Sequence, residues 1–446
     1  MLSKEKAREV VDIFTGATKH QTVVNIVDNG ERLTRFSNSE IHQNVEIDDT
    51  VVNLTLHDGK KSATSQSNAF DKESLLKLVQ DTEEMLENSP EGEQEFIPTP
   101  LQKVPELTGG SDLAKEFDIK GRAEVLKRCF ATLDKDYTAA GAISLDKKMH
   151  VYGDCMGNFH YMNYDTLSFS SVVTHKDGTT GYGAVTANRL SACDIDSAFK
   201  TAYEKAKASI DPVFADLGAY TVVLESEAVA NLLLFMLFGL NGDRYQKGMS
   251  FASDKLGQKL FGENLTVRDD VTDRGTFQRF FDSEGYTRKP VTLVENGVVK
   301  NVLHCSKTAQ KAGEAPTGHS FSNLGFMMGS GGGYPLNVVM QGGDSSLEEM
   351  IKGTKKGILV THFHYCNTVN PRALQVTGLT RDGTFMIENG KVTTPIKNMR
   401  FTESLLDAFS NIAELSKDLN LVDVYGYPSL IPAAKIENFH FTSGQK

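Results

Sequence analysis

The chain is 446 residues long, which predicts roughly three domains at about 150 residues each. Hydrophobic residues make up 39% and charged residues 24%, so a full core can form without metal or disulfide staples. A net charge of −11 argues against a broad phosphate-binding surface, because nucleic-acid affinity comes from clustered Lys and Arg.

The first residues are charged and lack an apolar run, so no signal peptide is expected. Residues 3–15 have helical spacing, with Val10, Val11 and Phe14 apolar. Alternating segments follow at 22–28, 33–36, 41–47, 50–57 and 61–66, with Asn29-Gly30 and Asp58-Gly59 read as hairpin turns. Asp71 is a good N-cap for a helix that carries Leu75, Leu78, Val79, Met85 and Leu86 on one face. An acidic, Pro-bearing linker spans 88–110. The same pattern then returns: a helix at 119–133, extended segments at 138–145, 149–152, 158–164, 167–174 and 181–187, and a closing helix at 194–210. Asp58-Gly59 and Asp177-Gly178 lie 119 residues apart, each before a strand and then a helix, which suggests a duplicated unit.

Residues 216–446 are richer in strands and glycine. Apolar alternation marks 219–224, 291–294, 298–304, 337–341, 358–365 and 384–387. Asn296-Gly297, Asp382-Gly383 and Asn389-Gly390 read as hairpin turns, and helices are expected at 226–239, 345–356 and 402–417. The expected fold is therefore α+β: a duplicated helix–β-meander–helix half, then a mainly antiparallel β-rich domain or partly closed barrel. Its units are 1–110 and 111–215, which can pack as one domain, and 216–446.

Four features could carry chemistry. The helix at 226–239 is apolar almost all round from Leu232 to Phe238, as in a helix buried between layers or at a subunit interface. Its longest apolar stretch, Ala228 to Leu240, is too short to cross about 30 Å of hydrocarbon, so no membrane span is expected. In His362-Phe-His364-Tyr-Cys366, strand alternation would turn His362, His364 and Cys366 to one face, and imidazole with thiolate suits zinc. Their spacing of about 7 Å is long for one ion, so two of them with His304, Cys305 or His319 are geometrically easier, and a polar cleft wall is the plainer reading. Gly329-Ser-Gly-Gly-Gly333 has no following Lys-Ser/Thr and opens no helix, so it reads as a mobile loop over a cleft rather than a phosphate cradle. In Phe281-Asp-Ser-Glu-Gly285, Asp282 and Glu284 could do acid–base work or simply form a turn. The scattered cysteines Cys129, Cys155, Cys193, Cys305 and Cys366 form no CxxC and fit a reducing, cytoplasmic compartment.

Several stretches, in order, resemble the TldD/PmbA (TldE) family, once labelled modulators of DNA gyrase. They are Arg35-Phe-Ser-Asn-Ser-Glu-Ile41, Gly242-Asp-Arg-Tyr-Gln-Lys247-Gly248-Met-Ser250, Phe281–Gly285, Glu295-Asn-Gly-Val-Val-Lys300, Thr377-Gly-Leu-Thr-Arg-Asp-Gly383, Ile387-Glu-Asn-Gly-Lys391 and Pro395-Ile-Lys-Asn398. The family pairs two kinds of subunit. The TldD kind is a metallopeptidase with HExxxH on the helix before the Gly-Asp…Lys-Gly segment and a C-terminal Cys as a further zinc ligand. Anchored on Gly242-Asp243 and Lys247-Gly248, the HExxxH positions fall at Leu233, Leu234 and Phe238. The Cys would fall near Tyr425-Gly426, and no Cys lies beyond Cys366. Leu and Phe have no lone pair for a metal, and Leu234 cannot act as a base.

The resemblance therefore implies the TldE/PmbA kind: a non-catalytic partner, with a TldD-like metallopeptidase or a second copy of itself, in processing unstructured peptide. It implies a peptide cleft with His364, Tyr365, His319, Asp282 and Glu284 as candidates. No cofactor of its own is expected, zinc entering through the partner. Where relatives often read Val-Thr-Arg-Phe-His-Tyr, this chain has His362 in place of the Arg, which leaves open a private metal site at His362, His364 and Cys366. An autonomous metallohydrolase using that site, or a regulatory binding protein without direct nucleic-acid contact, are the alternatives.

Overall fold

The computed structural model describes residues 2–105, 113–321, 331–424 and 426–444. Tyr425 and the Gly329-Ser330 part of the glycine-rich loop lie outside the described residues.

The N-terminal half is built on one antiparallel sheet. Its strands are β1 (Gln21–Ser37), β2 (Glu40–Ile47), β3 (Thr50–Asp58), β4 (Lys61–Ser67), β5 (Tyr137–Asp154), β6 (Phe159–His175) and β7 (Thr180–Ala187). They run in the order β4-β3-β1-β5-β6-β7, with β2 also on β1. Asn29-Gly30 is not a turn. Residues 21–37 form one strand because β5 pairs along it from Val23 to Phe36, while β3 covers its first part and β2 its second. Gly30 sits where the partner changes, and a Cβ there would crowd Asp48 and Lys147. The segments expected at 138–145 and 149–152 likewise fuse into β5, and those at 158–164 and 167–174 into β6. Asp58-Gly59 and Asp177-Gly178 do turn, with Gly59 and Gly178 at positive φ.

Helices cover one face of this sheet. α1 (Lys4–Ala17) and α2 (Lys72–Glu87) bury Val10, Phe14, Leu75 and Val79 against Val24, Leu54 and Val151. Asp71 caps α2 by accepting the Ser74 N–H at 2.9 Å. After a short α3 (Leu113–Glu116), α4 (Ile119–Phe130) and α5 (Ile195–Ala208) bury Leu126, Phe199 and Ala202 against Ile143 and Phe169. β7 approaches α5 so closely that a Cβ on Gly183 would run into the Ala198 carbonyl. Alternation turns His150 and Tyr152 of β5 to the opposite face, where both rings lie near Phe281 of the C-terminal half.

The C-terminal half contains a closed ring of strands. β8 (Gly218–Leu224) pairs in parallel with β13 (Lys356–Asn370) and antiparallel with β18 (Tyr427–Gly444). β14 (Gln375–Glu388) and β16 (Met399–Ser404) complete the circuit β8-β13-β14-β16-β18. β9 (Val267–Asp269), β10 (Val291–Glu295), β11 (Val298–Val299) and β12 (Val338–Met340) extend the sheet from β18, while β15 (Lys391–Pro395) adds to β14 and β17 (Ile412–Val424) to β18. The core combines α6 (Ser226–Gly239) with Phe363, Phe401, Phe439 and their neighbours.

Two turn readings hold and one does not. Asn296-Gly297 and Asn389-Gly390 have positive φ at both positions and close hairpins. Asp382-Gly383 instead lies within β14, which pairs with β13 on both sides of it. The helix expected over 402–417 shrinks to Leu405–Ser410, because Thr402–Ser404 pair with β14 and Ile412 begins β17. The helix expected over 345–356 forms only at Leu347–Lys352, behind a capping box of Ser346 and Glu349. Among the described residues, no helix is long and apolar enough to cross a membrane.

Candidate functional site

Helix α6 begins where β8 ends. Its apolar residues face neighbours all round, so it packs against β13, β17 and β18 at once. Leu233 is 1% exposed and Leu234 is 5% exposed, while Phe238 is half-buried with its ring 6.1 Å from that of Phe235. Asn231, the polar exception, accepts the Phe363 N–H at 3.0 Å and fastens the helix to β13. The helix stops at Leu240, and Asn241 caps the next one, α7 (Gly242–Gln246), by accepting the N–H groups of Asp243 and Arg244. The amide of Asn241 also donates to the carbonyls of Gly331 and Gly333, so the described end of the glycine-rich loop is pinned rather than free. A Cβ on Gly332, which has φ +81°, would collide with that amide. The Gly-Asp…Lys-Gly segment closes on itself through Lys247 Nζ and Asp243, 2.8 Å apart.

The His362–Cys366 stretch does not present one face. Tyr365 has φ +54° and forms a bulge, with the register shifting between His364 and Asn367. His362 sits before the bulge, with Nε2 3.0 Å from Asp382 and its ring stacked 4.4 Å from Tyr182. Asp382 also accepts the Thr180 hydroxyl at 2.7 Å, so this cluster joins β7 to β13 and β14. His364 and Tyr365 are exposed, Tyr365 at 72%. Cys366 lies beyond the bulge and packs against the core near Gly378 and Phe401, where burial pushes its thiol up to about 12. Strand alternation assumes an unbroken strand, and the bulge sends the thiol inward. Among the described residues, no group of three or more His, Cys, Asp or Glu is placed to hold one metal ion.

Phe281–Gly285 is a tight turn between the two halves of the molecule. Asp282 is fully buried and accepts the backbone N–H groups of Glu284, Tyr286 and Ser320. Burial, then Glu284, raise its carboxyl above the ordinary range, and the backbone donors oppose them. Glu284 accepts the N–H and hydroxyl of Ser306, which opens α8 (Ser306–Ala312), so it caps that helix from outside. Gly285 has φ +81°, and a Cβ there would enter the Tyr152 ring. His319 has no exposed surface. Its Nδ1 lies 2.8 Å from the Thr317 carbonyl, and its Nε2 lies 3.1 Å from Asp269 in a buried cluster with Arg288. The structure therefore leaves His364 and Tyr365 accessible while enclosing His319 and Asp282 between layers.

A cavity of about 410 Å³ lies where α5 and β7 meet β17 and the first turn of α6. Lys205 gives its ammonium to Glu225 at 2.7 Å, and Glu227 has no ion pair among the described residues. Burial, then Glu225, lift Glu227 to about 7. Sequence position alone suggests only a favourable helix dipole for this residue; its isolation is set by the packing. The folded value lies above the ordinary one of 4.5, so the protein loses stability as pH climbs from about 4.5 to about 7. Glu227→Gln should then raise stability at pH 8 by on the order of 1–3 kcal/mol and leave it unchanged below pH 4, as read by thermal melts across pH.

The closed strand ring, its apolar helix and the Gly-Asp…Lys-Gly turn behind that helix define the C-terminal domain of a metallopeptidase family. Residues 217–443 match the PmbA/TldA metallopeptidase C-terminal domain. A metalloprotease of Methanocaldococcus jannaschii is 28% identical over 212 residues, covering 46% of this chain and 45% of that protein. The metalloprotease PmbA of Escherichia coli O157:H7 is 24% identical over 201 residues, 44% of this chain and 41% of that one. The chain thus spans about half the length of the curated relatives it matches. The crystal structure of TldE from Thermococcus kodakarensis shares the fold, with a TM-score of 0.87 at 16% identity over 98% of this chain and 100% of that one. This chain belongs to the PmbA/TldD family. At the positions that resemblance assigns to HExxxH it carries Leu233, Leu234 and Phe238, whose side chains offer no donor atom, so the residues present do not fit a zinc ion there.

Proposed function

We propose that this chain is the non-catalytic subunit that pairs with a TldD-type zinc peptidase and helps it process unstructured peptides. The observation that carries this reading is the hydrocarbon filling at Leu233, Leu234 and Phe238. Leu233 and Leu234 are packed into the core and Phe238 lies half-buried against it, where unliganded His and Glu would be buried without partners. The peptide would be held beside the accessible His364 and Tyr365, partly by strand addition at a sheet edge. Zinc would come from the partner subunit. A reducing, cytoplasmic setting is supported by five cysteines that are all free.

Purification alone and mixed with the TldD-type protein of the same organism tests the proposal. Alone, the chain should leave unfolded casein intact. Mixed, it should form a complex whose mass by light scattering is the sum of both subunits, with chelator-sensitive cleavage. Chelator-sensitive cleavage by this chain alone overturns the reading, and so does a chain that stays monomeric with and without the partner.

A further inference from the structure

We propose that a second cavity, at the junction of the two halves, is a carboxylate-binding pocket built around Arg279 that takes the free C-terminus of a peptide. This deepens the peptide-handling reading above and rests on it for the identity of the ligand. The cavity holds about 300 Å³ and is enclosed by β1, β5 and β6 on one side and by the turn from Arg279 to Ser283 on the other.

Among the described residues, Arg279 is a buried charge without an anion. It is 6% exposed, and its Nε has no hydrogen-bond partner. Among the described residues, no carboxylate lies within ion-pair distance of its guanidinium; the contact it does make is with the face of the Tyr164 ring, 5.0 Å from the centroid. A guanidinium presents its donors in a fixed fork that matches a carboxylate. Arg122 and Arg288, also deeply buried, each have a carboxylate nearby, although each keeps one unpartnered guanidinium nitrogen too. Arg288 reaches Asp269 at 2.5 Å and also donates to Asn337. Arg122 donates to Thr34 and to the Phe117 carbonyl, and lies 3.9 Å from Glu46. Buried charges are normally paired, and an arginine fork suits a carboxylate that accepts two parallel hydrogen bonds. None of the described residues supplies that anion, which leaves the place open to a ligand.

The walls restrict what it can be. Asp146 and Asp423 line the cavity together with Lys148, so repulsion from the two carboxylates disfavours a doubly charged phosphate more than a singly charged carboxylate. Met162 and Phe321 add apolar surface for the group that carries the carboxylate. A peptide's last residue supplies both parts: a carboxylate that ends the chain and an apolar side chain beside it.

The test uses the full chain, without a partner subunit, and titrates three probes by calorimetry. These are acetyl-Ala-Ala-Phe with a free carboxylate, the same tripeptide as its amide, and inorganic phosphate. The free acid should bind, the amide should bind about tenfold or more weakly, and phosphate should not compete. Arg279→Gln should abolish the acid–amide difference, and Arg279→Lys should keep part of it, because charge remains while the fork is lost. Equal affinity for acid and amide, no binding of either, displacement by phosphate, or full binding by a folded Arg279→Gln protein would each overturn the proposal. A variant that fails to fold leaves the acid–amide contrast on the parent chain to decide. The measurement needs neither cleavage nor a second subunit, so its failure leaves the pairing reading intact, and a failure of pairing leaves the carboxylate pocket standing.

Discussion

Asp269→Leu is expected to destabilise the protein by about 3–5 kcal/mol, measured as a shift in urea unfolding. Asp269 ends β9 at 1% exposure and gathers several donors at once. Arg288 binds one oxygen at 2.5 Å, while the backbone N–H groups of Leu336 and Asn337 reach the other at 2.6 and 2.9 Å. His319 Nε2 lies 3.1 Å away. Removing the carboxylate leaves a guanidinium buried without its anion and orphans both N–H groups, and each of those losses costs more than the pair itself contributes. A double variant, Asp269→Leu with Arg288→Met, should recover part of the loss because the unpaired charge goes too. A single variant within about 1 kcal/mol of the parent would show that the cluster does not hold β9 to its neighbours.

The same carboxylate sets a pH dependence. Burial alone would raise it, but Arg288 and then His319 outweigh that and hold Asp269 well below the ordinary carboxylate range. A depressed folded value means that its stabilisation is fully present above the unfolded value of about 3.9 and disappears as pH falls toward the folded one. Asp269→Asn keeps a side-chain acceptor but cannot titrate. Its unfolding free energy should therefore fall less steeply than the parent's below about pH 4.

How much of this was legible in the sequence depended on whether the signal was local. The apolar helix was, because hydrophobic residues all round a turn of helix have one physical meaning, and its predicted bounds match the observed Ser226–Gly239. The Asp71 cap and the turns at Gly59, Gly178 and Gly297 were legible for the same reason. Partner choice was not. Asn29-Gly30 carries a turn signature, yet β5 holds both flanks in one strand. Residues 412–424 and 427–444, where the sequence pattern predicts no strand, form β17 and β18, the latter pairing with four other strands of the sheet. At the site, the resemblance assigns Leu233, Leu234 and Phe238 to HExxxH by register against the Gly-Asp…Lys-Gly segment, and that assignment needs only the sequence. The inward turn of Cys366 could not be read there, because it follows from one residue, Tyr365, adopting positive φ. Nor could the isolation of Arg279, since a missing partner is a property of three-dimensional neighbours.

Leu234→Glu should be the most damaging single change in α6, costing about 5 kcal/mol or more at pH 8. It would place a carboxylate where the family resemblance puts the glutamate of HExxxH, but leucine at 233 and phenylalanine at 238 offer no donor atoms to hold a metal beside it. Part of the cost is the lost packing of a leucine only 5% exposed. The larger part is desolvation, which would lift the new carboxyl well above its unfolded value of about 4.3. A raised folded value means that the proton is bound more tightly in the native state, so the variant is least destabilised at low pH. As pH rises from about 4.3 to the folded value, it should lose further stability at about 1.4 kcal/mol per pH unit, and the loss should level off above that value. Leu234→Met, which keeps volume and adds no charge, should cost less than about 1.5 kcal/mol and show no added pH dependence. Urea unfolding of both variants from pH 4 to pH 8 separates the two contributions. If Leu234→Glu matches Leu234→Met at pH 8, the helix has a polar or solvated neighbour at this position, and the reading of α6 as a hydrocarbon-filled remnant of a metal-bearing helix fails.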